Sequence, residues 1–287
     1  MNIFNNDDFV VAGFLMPHPP VIIEAVGKNR ISSVSNTINA CRSLGALAAT
    51  LDCQTIVCIS PHARRFSDAI YMYDSPILSG DFGRFGSPDI GISMPLDRPF
   101  LDALEDSLAH EFLQGCPQSS LDGDPEYPAV PLDHGVLVPL SFIAPHIPTA
   151  SLVAISPSVV ISDAPKLARA ISVAANRVQK RTLVICSGDL SHRVSPDDVS
   201  GPASEGARFD TAVADAFRTG CLAELFALET TMVMRAEECG YTSLLVLASL
   251  YPDVQSSLLS YESPFGVGYC VASVTPLKKG EKAHEHT

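Results

Sequence analysis

Nowhere in its 287 residues does this chain carry an apolar run approaching the roughly 18 to 20 residues that a membrane-crossing helix needs. It also lacks a surplus of positive charge, with 19 Lys and Arg against 32 Asp and Glu and a net charge of −13. A nucleic-acid backbone or an anionic membrane surface demands clustered Lys and Arg, so neither is expected as the main partner. Tryptophan is absent and aromatics make up only 7 % of the chain. The 8 cysteines include no CxxC pair. Cys58, Cys186 and Cys270 lie inside apolar runs, where a thiol acts as a small hydrophobe. With acidic residues where a signal peptide would carry positive charge (MNIFNNDDFVVAGF), a reduced cytoplasmic location is the expectation. No GxSxG elbow occurs, and Ser187 in CSGDL does not form one, which argues against a Ser/His/Asp hydrolase.

What the chain does have is apolar residues, 46 % of the total with 18 % charged, enough for a sizeable core. Short Val/Ile-rich runs at 9–15, 55–60, 151–156, 182–187 and 266–274 end abruptly in polar, Pro or Gly residues. Their continuous hydrophobicity predicts strands covered on both faces. Helix-like stretches at 31–51, 164–180, 207–227 and 241–250 alternate with them. The pattern predicts a single α/β domain spanning 1–287, with a mostly parallel or mixed central sheet and helices on both faces. Residues 68–95 read as an excursion of hairpins or loops above the sheet, and 114–131 as a Pro/Gly/Asp-rich loop. The polar tail from about 277 to 287 holds His284 and His286, which are set aside as frayed.

In open α/β sheets, ligands bind beyond the carboxyl ends of the strands, and His18, His62 and His192 follow three of the predicted strands. His134 closes a loop in PLDHG. Prolines beside His18 and His62 stiffen the backbone and aim the imidazoles, which suits a metal site. Any one of these histidines alone reads as an ordinary satisfied loop residue. His146 precedes a strand and reads as structural at the opposite edge, and His110 as a solvated helix residue. A two-histidine site asks for an anionic third ligand, as in the 2-His-1-carboxylate triad of non-haem Fe(II). The segment AEECG offers Glu237, Glu238 and Cys239, and Glu262 is a fourth candidate, placed at a loop entering the last strand. Acidic residues ahead of a helix are also favoured simply by its dipole.

The ordered series PHPP (17–20), SPHA (60–63), LDHG (132–135), SGDLSH (187–192), ECG (238–240) and SYESPFGVGY (260–269) resembles the class III extradiol ring-cleavage dioxygenases. That family is typified by the catalytic subunit of protocatechuate 4,5-dioxygenase, and the likeness is closest to its Memo-related branch. The resemblance implies Fe(II) held by His18, His62 and a glutamate, with His192 as acid/base and His134 as a second polar contact. It implies a catechol-like or aminophenol-like ring and O₂ as substrates and, as in some relatives, a small partner subunit; a homodimer is the common default for soluble enzymes. Memo-like proteins carry a cysteine followed by glycine at the third-ligand position, and this chain has Glu238 and Cys239 side by side. Glu238 is the expected ligand, because a hard carboxylate suits Fe(II) better than a thiolate. The alternatives are a Memo-like metal-binding protein without dioxygenase activity, or a hydrolase holding zinc or another divalent metal.

Overall fold

The computed structural model describes residues 9–124, 126–127, 129–195, 201–251 and 253–277. Its strands begin with β1 (Val10–Met16), β2 (Thr55–Ile59), β3 (Ala69–Met72), β4 (Ile77–Phe82) and β5 (Ser87–Pro95). They continue with β6 (Gln114–Pro117), β7 (Ser151–Ser156), β8 (Thr182–Ser187), β9 (Val254–Glu262) and β10 (Tyr269–Pro276). The helices are α1 (Glu24–Gly27), α2 (Ser35–Ala48), α3 (Arg98–His110) and α4 (His134–Ile143). After these come α5 (Ala164–Val178), α6 (Ser204–Thr219), α7 (Thr230–Ala236) and α8 (Tyr241–Ala248).

The main sheet has the order β6-β3-β7-β2-β8-β1-β10-β9, and β4 and β5 form a separate hairpin. Strands β7, β2, β8 and β1 run parallel through the middle, while β10 and β9 are antiparallel additions at one side. Both β2 and β8 are buried along their whole length, which explains why their sequences show no polar alternation. One apolar cluster packs α3, α5, α6, α7 and α8 on one face of the sheet, and a second packs α2 and α4 on the other. The expected single α/β domain with a mixed sheet and helices on both faces is what the chain forms.

Several elements differ from the sequence expectation. Residues 69–72 are not part of the excursion but join the main sheet, pairing with β7 and β6. Residues 114–117 likewise form an edge strand, too short and too polar to stand out against its Pro/Gly-rich surroundings. The predicted helix at 207–227 stops at Gly220, which closes it in the left-handed conformation (φ 78°). Glu262 is the last residue of β9, not a loop residue. Helix α3, capped by Asp97 through the N–H of Phe100, ends at His110, which is exposed as expected. His284 and His286 lie outside the described residues. Among the described residues, no helix is long and apolar enough to cross a membrane.

Candidate metal centre

Because β1, β8 and β2 are parallel neighbours with β8 in the middle, their carboxyl ends open on the same edge of the sheet. His18 follows β1, the segment 188–192 follows β8, and His62 follows β2. The two histidines lean toward each other over the end of β8, bringing their Nε2 atoms to 2.8 Å. The register that pairs Met16 with Ser187 puts the latter beside His18, and Ser187 Oγ lies 2.8 Å from His18 Nδ1. With Nδ1–H donating to that hydroxyl, the Nε2 lone pair is left facing His62.

His18 is buried, at 2 % exposure, and its N–H donates to Asp189 Oδ1 at 2.9 Å. Burial, then the charges of His62, His134 and His192, hold its pKa well below the ordinary value, so it is neutral at pH 7. His62 is exposed on its outer side, yet loss of water around the ring is the main cause lowering its pKa to about 4. Its N–H donates to Ser60 Oγ at 3.2 Å, and Ser60 Oγ donates to Asp133 Oδ1 at 2.6 Å. Asp133 also caps α4 through the N–H of Gly135 and accepts from Tyr73 OH. One carboxylate thus ties the loop of His62 to the helix that starts at His134. The outcome is a stacked pair, with the His62 and His134 rings 4.3 Å apart. Burial lowers the pKa of His134, with Asp133 opposing and Arg84 adding to the shift.

The segment carrying His192 is zippered in place from three sides. Leu190 N–H donates to Gly268 O, and Gly268 N–H donates to Ser191 O. Ser191 N–H donates to Asp210 Oδ1, while Ser191 Oγ and His192 N–H both donate to Ala236 O. At the base of this segment Gly188 crosses Gly240 so closely that a Cβ on Gly188 would stand 2.3 Å from the Gly240 Cα. That crossing brings Cys239 to the histidines. Gly188→Ala is therefore expected to force the two loops apart, costing roughly 1–3 kcal/mol in denaturant unfolding and displacing the thiol.

Of the candidates for a third ligand, Cys239 is the one whose donor atom stands against the histidines. Cys239 Sγ lies 3.4 Å from His18 Nε2, and His18, His62 and Cys239 offer ligand atoms within 4.8 Å of one another. Asp189, His192 and Cys239 form a second such group. Glu238 joins neither: its carboxylate accepts the N–H of Tyr241 at the first turn of α8, the dipole-favoured role. Glu237 has a left-handed backbone and pairs with Arg193, and Glu262 accepts from the N–H and hydroxyl of Thr37. Burial raises the pKa of Glu238 to about 7 and that of Asp189 to about 7. Asp189 is the polar residue that sequence reasoning passed over, although a carboxylate amid SGDLSH directly after a buried strand was its signal. His146 is remote from this edge, packed against Gly45 on α2, in keeping with a structural role.

Two neutral imidazoles and a thiol with facing donor atoms fit a metal ion bound through N and S. Donors around a tetrahedral ion stand about 3.3–3.6 Å apart at ordinary bond lengths; the 3.4 Å between Cys239 Sγ and His18 Nε2 meets this, while the 2.8 Å between the two Nε2 atoms would have to widen. Ser187→Ala removes the hydrogen bond that orients His18 and is expected to weaken metal binding 10- to 100-fold in a chelator competition.

A family model for the catalytic LigB subunit of aromatic ring-opening dioxygenase matches residues 12–272. Protein CA_C1420 of Clostridium acetobutylicum is 27 % identical over 262 residues, covering 90 % of this chain and 56 % of that protein. The chain thus spans little more than half the length of this relative. An uncharacterized Escherichia coli protein, JW3007, shares the fold with a TM-score of 0.59 at 16 % identity. The match covers 92 % of this chain and 99 % of that one.

Proposed function

This chain belongs to the family of the catalytic LigB subunit of aromatic ring-opening dioxygenase, and from that premise we propose that it is a non-haem Fe(II)-dependent extradiol dioxygenase. Its substrate in this reading is a catechol-like or aminophenol-like ring, with O₂ as co-substrate. The observation that carries the proposal is the convergence of His18, His62 and Cys239, with His134 and His192 alongside, at the carboxyl edge of a parallel sheet.

In this reading His18, His62 and Cys239 hold the metal. When bound, it would supply Lewis-acid and redox chemistry toward a ring and O₂. His192 takes the proton of a ring hydroxyl, which makes the ring a better electron donor. His134, kept neutral by burial, accepts a hydrogen bond from the second hydroxyl and serves as the later proton relay. Asp133 and Ser60 keep the His62 and His134 rings stacked, so the ring edge meets both groups in fixed register.

A second reading is favoured by the thiol itself. Thiolate is a soft ligand that suits zinc or Cu(I) better than O₂-activating iron, which fits a Memo-like metal-binding protein without ring cleavage or a zinc hydrolase. Metal analysis of anaerobically purified protein, with oxygen uptake on a catechol panel, separates them. Iron near one per chain and a yellow ring-opened product support the dioxygenase. Zinc at full occupancy with no oxygen uptake would sink it.

A further inference from the structure

The segment 260–269 (SYESPFGVGY) contributes no donor atom to either cluster of metal-ligating side chains. Its backbone instead brackets the loop of His192. Gly266 O accepts the N–H of Val194, and Gly268 bonds in both directions, its O accepting from Leu190 and its N–H donating to Ser191 O. On another side of the loop stands Asp210 of α6, fully buried. Asp210 Oδ1 accepts the N–H of Ser191 at 2.8 Å, and Oδ2 accepts Tyr261 OH at 2.7 Å. A single carboxylate thus joins the residue before His192 to the end of β9. The next residue, Glu262, accepts from the N–H and hydroxyl of Thr37 at the start of α2. Successive side chains of a strand point to opposite faces, so β9 ends gripped by α6 through Tyr261 and by α2 through Glu262.

The approach of these elements leaves no room for side chains. A Cβ on Gly268 would stand 2.0 Å from Asp210 Oδ2, and one on Gly206 of α6 would stand 2.5 Å from Ser191 Oγ. Glycine at both positions lets α6 and the C-terminal segment close on the loop. Asp210 is unfavourable where it lies: burial raises its pKa to about 7, and the hydrogen bonds from Ser191 and Tyr261 offset only part of that. What the carboxylate supplies is geometry. Its two oxygens, fixed relative to each other, hold an N–H of the loop and an O–H of β9 in one register.

We propose that Asp210 and Tyr261 are positioning residues for His192, holding Ser191 so that the imidazole behind it meets the substrate proton. The proposal rests on the reading that His192 takes the proton of a ring hydroxyl. Ser191 Oγ and His192 N–H both donate to Ala236 O, so a shift of Ser191 disturbs the anchorage of His192 as well. A misplacement of about 1 Å in a reacting group costs turnover about 100-fold. The hydrogen bonds that orient His18 and His62 run to Ser187, Asp189 and Ser60, so the metal is expected to stay.

NMR of zinc-loaded protein labelled at the histidine ring nitrogens reads His192 directly, its signals assigned by their absence in His192→Ala. In Asp210→Ala the His192 signals are expected to shift and broaden, while those of His134 and the metal content stay as in the wild type. Asp210→Asn should restore the wild-type spectrum, since its amide oxygen still accepts the Ser191 N–H and its NH₂ donates to the Tyr261 oxygen. Tyr261→Phe removes one hydroxyl from a half-buried ring and should give the same change in smaller degree, which keeps the test decisive if Asp210→Ala does not fold. With iron-loaded protein and a catechol panel, Asp210→Ala should lose kcat about tenfold or more, and Tyr261→Phe about threefold, with KM within about twofold. A lowered melting temperature with unchanged His192 signals would make the carboxylate merely structural and overturn the proposal, as would loss of the metal. If a ring is opened with a kcat indifferent to both residues, ring cleavage stands and positioning falls. If no ring is opened while the His192 signals keep their dependence on Asp210, positioning stands and ring cleavage falls.

Discussion

Replacing Cys239 by serine is expected to weaken metal binding about 100-fold or more, beyond what loss of an orienting neighbour produces. Glu238→Gln, by contrast, should leave the metal in place. The geometry behind this is the thiol 3.4 Å from His18 Nε2, against a glutamate engaged with the N–H of Tyr241. Proton release offers an independent check. Burial, then the charge of Asp189, pushes the Cys239 thiol well up, so it is protonated in the metal-free protein at pH 7. His18 and His62 are already neutral there. Binding through the thiolate must then release about one proton per metal, at about pH 7 and about pH 8.5 alike. A Glu238 ligand, with its pKa near about 7, would release about half a proton at pH 7 and almost none at 8.5. Calorimetry in buffers of different ionisation enthalpy reads the difference. Release that vanishes at the higher pH, or metal retained by Cys239→Ser, would return the third position to Glu238.

Loss of His192 should separate binding from turnover. His192→Ala is expected to keep its metal and to lose turnover by roughly 10²- to 10⁴-fold, the usual worth of a positioned acid/base. The acid limb of the pH–rate profile should change with it, since the removed group is the base that must be unprotonated for the first step. The competing outcome is specific. His192, Asp189 and Cys239 form a second cluster of ligand atoms, so a His192→Ala protein that lost its metal would place this histidine among the ligands. In that event His134, stacked on His62, would be the remaining candidate for proton transfer.

Both experiments turn on a distinction that one-dimensional reading could not make. Continuous Val/Ile runs marked β1, β2, β7 and β8, because a strand covered on both faces needs apolar residues at every position. The histidines placed after those runs were legible for the same reason, and proline beside His18 and His62 marked rigid delivery. The short strands β3 and β6 were not legible. They are stabilised by pairing with distant partners, and their own residues carry little pattern.

The sequence by itself determined the fold class and the set of histidines that follow the strands toward the carboxyl edge of the sheet. Only the tertiary structure decided which neighbour in the pair Glu238–Cys239 faces them. Adjacent residues ahead of a helix point in different directions, and spacing alone assigns neither to the site. The deciding contact is the crossing of Gly188 and Gly240, two backbones 52 positions apart in number, which turns Cys239 toward His18 and leaves Glu238 to the first turn of α8.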